Sequence, residues 1–438
     1  MKLQVKQISL GVALAVWGVA MVGMVQPAAA ATLCVGAGGA NCYATIGAAI
    51  AQATAGDTIQ VSQGIYHEDV VIGKPLSLIG KNPANTIIDA MGMSNGIFID
   101  GLDHSGLAHV TVSGFTVRNA NFEGILMTNV SESAVWGNIL TGNDRSLDFA
   151  NQNCPGLPAF ETAEGFDCGE AIHLSGVDHS QIGGNTIHGN SGGILISDET
   201  GPTHDNWIAN NLVKSNLYDC GITIPSHPRA PSLPHGGPFG VYGNVISGNV
   251  SEYNGTMGEG AGIGLFGFMP GARVSDNTIS GNVLIGNGLP GVAMHAHSPF
   301  ENMSNNVITG NYIAGNGADT DDAATPGTTG INLYINLLLL GGPAPAGTVI
   351  SKNVIKNETD DVVVKIPATV NVHWNNLNGG GEGVVNLGTA AVDATNNWWG
   401  CSQGPGGNGC SGVSGTNVTV DPALGSPAVP NGSPNAQQ

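Results

Sequence analysis

Between Glu170 and His297 one pattern recurs five times: Ala171-Ile172-His173-Leu174-Ser175, Gly193-Ile194-Leu195-Ile196-Ser197, Gly221-Ile222-Thr223-Ile224-Pro225, Gly262-Ile263-Gly264-Leu265-Phe266 and Gly291-Val292-Ala293-Met294-His295. Each is a small residue followed by apolar, variable, apolar, variable. Alternation with period two gives a short strand with one face buried and the other open. Stacked in parallel, five such strands place their open-face residues in columns. His173 and Asn332 fall at the first open position, and Ser175, Ser197 and His295 at the second. Glu170, Asp219 and Glu259 lie just before their strands, Asp198, His227 and His297 just after, and Glu199 and His204 also fall at the margins of the columns.

A second pattern frames the first. Asn138-Ile-Leu-Thr-Gly-Asn143 returns at Asn185, Asn211, Asn244, Asn277, Asn306 and Asn353, with steps of 47, 26, 33, 33, 29 and 47 residues. Self-similarity on this scale is the signature of a solenoid, whose strands bury their apolar faces only by stacking. Each repeat is read as one such Asn-bounded strand plus one Gly-Ile strand. Asn tolerates the left-handed backbone of a tight turn, and its amide can bond the Asn of the next coil. A short helix is expected over 43–55, with strands at Thr58–Val61, Leu76–Ile79, Thr86–Asp89, Ile97–Asp100 and Val110–Val117.

The start of the chain reads as a secretory signal peptide: Lys2 and Lys6, an apolar run from Ile8 to Val25, then small residues, with cleavage near Ala30. Its removal takes two cations and no acid, so the net charge moves from −20 to −22. So acidic a chain excludes nucleic acid as a partner. No later stretch is long and apolar enough for a membrane span, and a monomer is expected. Export fits seven cysteines. Three local disulfides are expected, Cys34 with Cys42, Cys154 with Cys168 and Cys401 with Cys410, leaving Cys220 buried and reduced.

Ala55-Gly56-Asp57-Thr58-Ile59-Gln60-Val61, Gly64-Ile65-Tyr66 and the repeated Asn-x-Ile-x-Gly-Asn resemble right-handed parallel β-helix proteins of the pectate-lyase-like fold. That group includes pectin lyases, pectin esterases, alginate epimerases and periplasmic copper-insertion accessory proteins. The resemblance covers residues 43–400 and implies an all-β solenoid of about 10–13 coils. The expected organisation is a signal peptide (1–30), an N-terminal cap (31–56), the β-helix (57–396), a C-terminal cap (397–421) and a disordered tail (422–438). Asn397-Trp398-Trp399-Gly400-Cys401 resembles the cap of such repeats, with two Trp covering the last coil. Residues 144–168 and the Pro- and His-bearing loops within 200–240 break the repeat and are expected to wall a cleft.

His and carboxylates on neighbouring coils are the types needed for acid–base work or for holding a cation. The expected catalytic set is His173, Asp198, Asp219, His227, Arg229 and His295, with Glu170, His204, Glu259, His297 and Asn332 touching substrate. The resemblance implies lyase chemistry first, with Ca²⁺ held by Asp198, Glu199 and Asp219 and Arg229 as base, and glycoside hydrolysis second. The alginate epimerases' Asp-Pro-His-Asp string, the polygalacturonase Asp strings and the esterases' Asp pair with Arg are not found. The partner expected is an extracellular polysaccharide or cell-surface glycan. The alternative is a non-catalytic exported β-helix that binds glycan or serves as a scaffold. Phe98, Leu126 and Leu195 at open positions imply that loops cover part of this face.

Overall fold

A computed structural model describes residues 30–36, 42–151, 153–162, 170–320, 324–336 and 344–432. The expected signal peptide lies outside these residues but for Ala30, and so does Cys168. Among the described residues the chain winds into three long parallel sheets of 14, 11 and 12 strands, visited in that order on the coils between the two ends, and a short three-stranded sheet (Thr203–His204, Val241–Tyr242 and Val274–Ser275) is inserted between the 12- and 14-stranded faces of three coils. The result is a right-handed parallel β-helix with three faces, capped at its start by one helix.

Alternation fixes the core. Ile97, Ile125, Ile172, Ile194, Ile222, Ile263, Val292, Ile331 and Val362 stand in one register column of the 12-stranded face. All are fully buried in the lumen. Burying each such side chain contributes about 1.5–3 kcal/mol, so the stack as a whole holds coils that no coil could hold alone. The helix spans Ile46–Gln52, shorter than the expected 43–55, because the Thr45 side chain caps it at Ala48 N–H and the chain turns extended at Ala53. The expected strand 110–117 is two strands, Thr111–Ser113 and Thr116–Arg118, separated by a corner at Gly114 with φ +82°.

The repeat unit also differs from the expected pairing of one Asn strand with one Gly-Ile strand. Leu212–Lys214, after Asn211, lies in the 11-stranded face, whereas Val245–Ser247, after Asn244, lies in the 14-stranded face. Each coil therefore has two Asn-bounded strands and one Gly-Ile strand, and the uneven steps arose from counting two corners as one. The corners carry Asn ladders. At the corner leaving the 14-stranded face, Asn138, Asn185, Asn211, Asn249, Asn282, Asn311, Asn353, Asn375 and Asn397 link in order, each backbone N–H donating to the next Asn Oδ1 at 2.8–3.1 Å. A second ladder runs from Asn143 through Asn316 to Glu358, and a third from Asn206 to Asn306. The left-handed residue is not the ladder Asn but the one before it, for example Asn210 (φ +56°) before Asn211 and Gly248 (φ +65°) before Asn249.

Disulfides Cys34–Cys42 and Cys401–Cys410 tie the two ends. Cys154 is also disulfide-bonded, and Cys220 is free and buried. Trp399 is fully buried against the final coil. The tail expected to be disordered is held as far as its described residues run. Lys356 Nζ donates to the Asn431 carbonyl at 2.7 Å, and Asn376 Nδ2 donates to the Val429 carbonyl at 2.8 Å. Its composition is that of a loop, but polar side chains of the 11-stranded face give it partners.

Candidate functional site

The column assignment made from the alternation stands: His173 pairs with Leu195, Leu195 with Thr223, and Ala293 with Asn332. The face is not open, however. Leu126, His173, Leu195, Ala293 and Asn332 are all at most 2% exposed. From Leu126 to Asn332 the outer side of these strands is therefore buried as well as the lumen side, whereas Val71, earlier in the same column, is 46% exposed.

The expected residues also divide between two margins. Asp219 precedes the strand Ile222–Ser226, whereas Asp198 and Glu199 follow the strand Ile194–Ser197. A strand of four or five residues separates such positions by about 13–17 Å. Asp219 therefore cannot share a cation with Asp198 and Glu199, and its Oδ1 instead accepts from the Cys220 N–H at 2.6 Å. Glu170 and Glu259 stand on that same early margin, the first fully buried and the second exposed.

At the late margin a dense polar network forms. His173 Nε2 lies 2.7 Å from Ser197 Oγ, and its Nδ1 lies 3.4 Å from Glu123 Oε1. Ser197 donates to Glu199 Oε2, which also accepts from Ser175 Oγ at 3.1 Å. The other oxygen of Glu199 lies 2.8 Å from His227 Nδ1. Asp198 accepts from the His227 N–H at 2.6 Å, from Ser226 Oγ at 2.9 Å and from the Gly240 N–H. Glu123, His173, Ser197, Asp198, Glu199 and His227 are each at most 1% exposed.

Two neighbouring carboxyls in this network are driven apart. Burial raises Asp198 to about 6, against the two backbone donors that hold its charged form. Burial would raise Glu199 as well, but the charge and hydrogen bond of His227, with help from His173 and Ser197, outweigh it and hold Glu199 down to about 2. Below about pH 6 one of the pair holds a proton while the other stays an anion.

His295 belongs to a separate cluster further along. Its Nε2 lies 2.7 Å from Asp319 Oδ2 and 2.8 Å from Asn332 Nδ2. A file of rings connects the two clusters. His227 lies 5.5 Å from Phe268, Phe268 stacks on His297 at 5.4 Å, and His297 lies 5.5 Å from His295, which lies 5.2 Å from Tyr334. Phe268 is 38% exposed, so this file reaches the surface. Arg229 is not available as a free base: its Nε donates to the Gly237 carbonyl at 2.6 Å and its guanidinium lies 3.9 Å over the Phe239 ring. His204 sits on an outer corner, away from the buried network, beside Asp205.

Asp198, Glu199 and Asp219 do not form the expected Ca²⁺ cradle, since protein donors take the first two and the third is on the other margin. Among the described residues, the metal-capable triplets that converge are His179, His204 and Asp205 at the surface and the buried Glu123 and His173 with the half-buried Glu161 of the 144–168 insertion. Sequence reasoning missed Glu123 and Asp319. Glu123 had a usable signal: Gly124-Ile125-Leu126-Met127-Thr128 is a sixth copy of the Gly-Ile pattern, preceded by Glu as Ala171 is preceded by Glu170. Asp319 had none, because it comes from a loop.

These features define a right-handed parallel β-helix of the pectate-lyase-like fold. The family model described as "Periplasmic copper-binding protein (NosD)" matches residues 43–254, a little under half of the chain. No curated protein matches the sequence. Similar solved structures include a GH136 lacto-N-biosidase from Eubacterium ramulus, 9% identical over 90% of this chain and 67% of that one, with a TM-score of 0.51. An alginate lyase from Paenibacillus sp. str. FPU-7 is 11% identical, covering 89% of this chain and 99% of that one, with a TM-score of 0.42. The pectate lyase Pel9A is 14% identical, covering 72% and 78%, with a TM-score of 0.44. At these identities the likeness is one of fold. No helix among the described residues is long and apolar enough to cross a membrane.

Proposed function

We propose that this is an exported carbohydrate-active β-helix protein, an enzyme acting on an extracellular polysaccharide through the carboxyl pair Asp198 and Glu199. The observation that carries the reading is the separation of that pair, one near 6 and one near 2, at a single strand end. Environments that push two carboxyls apart set up a proton donor beside a fixed anion. Asp198 is the acid, Glu199 the anion, and His227 and His173 hold Glu199 in place. At the end of the file, Phe268 is 38% exposed and is the ring that a sugar can reach. A donor-and-anion pair suits glycosidic hydrolysis. With Arg229 committed to Phe239 and Gly237, lyase chemistry, which needs a free cationic base, takes second place. The backbone donors of His227 and Gly240 close over Asp198 from the 227–240 loop, so turnover requires this loop to move aside.

The complete burial of the pair favours a second reading, a non-catalytic exported β-helix in which the network only ties coils together and glycan binds at the surface. Purified mature protein assayed on a polysaccharide panel decides between them, reading reducing-end release together with absorbance in the unsaturated-uronate band. Reducing ends without that absorbance, lost at least a hundred-fold in Asp198→Asn and Glu199→Gln variants that remain folded, is the expected result. No product from any polysaccharide, or activity untouched in both folded variants, overturns the enzyme reading.

A further inference from the structure

The outer side of the 14-stranded face differs from the rest of this acidic surface. Its two outward columns run from Thr58 to Val349 and from Gln60 to Ser351, across ten strands. Over that length neither column contains an Asp, Glu, Lys, Arg or His. Stacked at about 4.8 Å, the strands make a strip roughly 43 Å long. The 11-stranded face is unlike it: Asp89, Arg118, Lys214, Glu252 and Lys356 stand in one of its outward columns.

Two indoles stand in the middle of the strip. Trp207 is 40% exposed, and its Nε1 donates to Ser247 Oγ on the next coil at 2.9 Å. That bond lays the ring from the first outward column toward the second and uses its only donor, so Trp207 offers outward an apolar ring face. Trp136 meets it at 6.1 Å with planes 62° apart, and lies against Gly183, where a Cβ would come within 2.5 Å of the indole. Val245, beside Trp207, is exposed, and Ser247, Thr278, Ser280 and Thr309 carry half-buried hydroxyls onward over the following coils.

We propose that this strip, centred on Trp207, binds an uncharged glycan chain. A sugar ring has a C–H face that packs on an indole and a rim of hydroxyls that pair with Ser and Thr. The charge pattern selects the class of glycan. Glu132, Asp178, Asp205 and Asp276 line the corner that leads into the strip, against one arginine, Arg273, and the whole chain carries −20. A uronate polymer is repelled there, whereas a neutral chain meets no like charge. The strip lies on a different face of the solenoid from Asp198 and Glu199, so the binding stands whether or not that pair is catalytic.

The test is native affinity electrophoresis of the mature chain through gels that hold a mixed-linkage β-glucan, a galactomannan, a dextran or polygalacturonate. At least one of the three neutral polymers should retard wild type, and polygalacturonate should not. Trp207→Ala should weaken that retardation at least ten-fold, the usual scale for losing an aromatic anchor. Val245→Asp, which keeps both indoles and sets a charge in the strip, should weaken it as well, and Asp198→Asn should leave it unchanged. Circular dichroism melts confirm that each variant is folded, and Val245→Asp keeps the test valid should Trp207→Ala disturb the strip. Passage unretarded by all three neutral polymers, retardation by polygalacturonate alone, or wild-type retardation of both folded strip variants overturns the proposal. So does a dimer in sedimentation that Trp207→Ala dissolves, since a second copy would then cover the strip.

Discussion

Asn211→Ala should cost this protein about 1–3 kcal/mol although it removes no apolar contact. Asn211 is 1% exposed. Its Oδ1 accepts from the Asn185 N–H at 3.1 Å and from Asn185 Nδ2 at 3.0 Å. Its Nδ2 donates to the Ile182 carbonyl at 2.9 Å and to Asn249 Oδ1 at 2.9 Å. Alanine deletes all four bonds, but they do not count equally. Asn185 Nδ2 keeps the Val135 carbonyl, and Asn249 Oδ1 keeps the Asn211 N–H. The group stranded is the Asn185 N–H, because the register of the parallel ladder leaves the Ile182 carbonyl the Ala209 N–H. A buried polar group left without a partner costs roughly 1–3 kcal/mol, so a loss of about 1–3 kcal/mol is expected. Asn210, one residue earlier, is the control. It holds the left-handed turn, and Asn210→Gly should change stability by less than about 1 kcal/mol because glycine adopts that backbone freely. Urea unfolding of wild type and both variants measures this directly. A loss below about 1 kcal/mol for Asn211→Ala, equal to that of Asn210→Gly, would refute the claim that the ladder amides rather than the turn geometry hold the corners.

Three further outcomes are expected. The raised Asp198 favours the folded state at pH values below its ordinary 3.8, and this contribution is lost as pH rises through about 6; the lowered Glu199 contributes above its ordinary 4.5 and loses that contribution as pH falls through about 2. Wild type should therefore lose stability between pH 4 and 6, by up to about 3 kcal/mol from Asp198, relative to Asp198→Asn, and parallel melting curves for the two across that window would disprove it. Ile194→Asp and Leu195→Asp should both unfold the protein, because both sides of that strand are buried; register is tested instead on Val245 and Ile246, 36% and 0% exposed, where Ile246→Asp should unfold the chain and Val245→Asp should be tolerated, as circular dichroism melts will show. Non-reducing peptide mass spectrometry should find Cys34–Cys42 and Cys401–Cys410 bridged with Cys220 as a free thiol, and any bridge to Cys220 would contradict the structure.

The solenoid was legible because its determinants are local and repeated. Alternation at Ile194–Ser197 needs only four residues to show which side faces the lumen, and the Asn spacing announces stacked corners. What the local pattern could not supply was the number of corners per coil, since Asn211 and Asn244 head hexapeptides of one pattern, Asn-apolar-apolar-x-x-Asn, on different faces. The site was legible in part. The spacing placed His173, Asp198, Glu199 and His227 on adjacent coils, and they do meet. It also grouped Asp219 and Glu259 with them, because closeness along the chain does not distinguish the two ends of a strand. The segment 227–240, whose Gly240 N–H closes on Asp198, carries no period, and Asp319 reaches His295 from another irregular loop.

The second ladder ends in a way that gives the solenoid a direction. From Asn143 to Asn316 every side-chain amide accepts from the coil before and donates to the coil after, so the small dipoles add head to tail along the axis. A row of this kind cannot simply stop, since its last amide would face an absent acceptor. Here it stops at Glu358, whose Oε1 accepts both the N–H and the Nδ2 of Asn316 at 2.9 and 3.1 Å. A carboxylate receives without having to pass anything on, so it acts as a terminator where one more Asn would only call for another coil. The interior charges for that role: burial lifts Glu358 to about 7, against the bonds from Asn316 that hold its anion. The length of the amide row is thus written into one side chain, at the point where its polarity runs out.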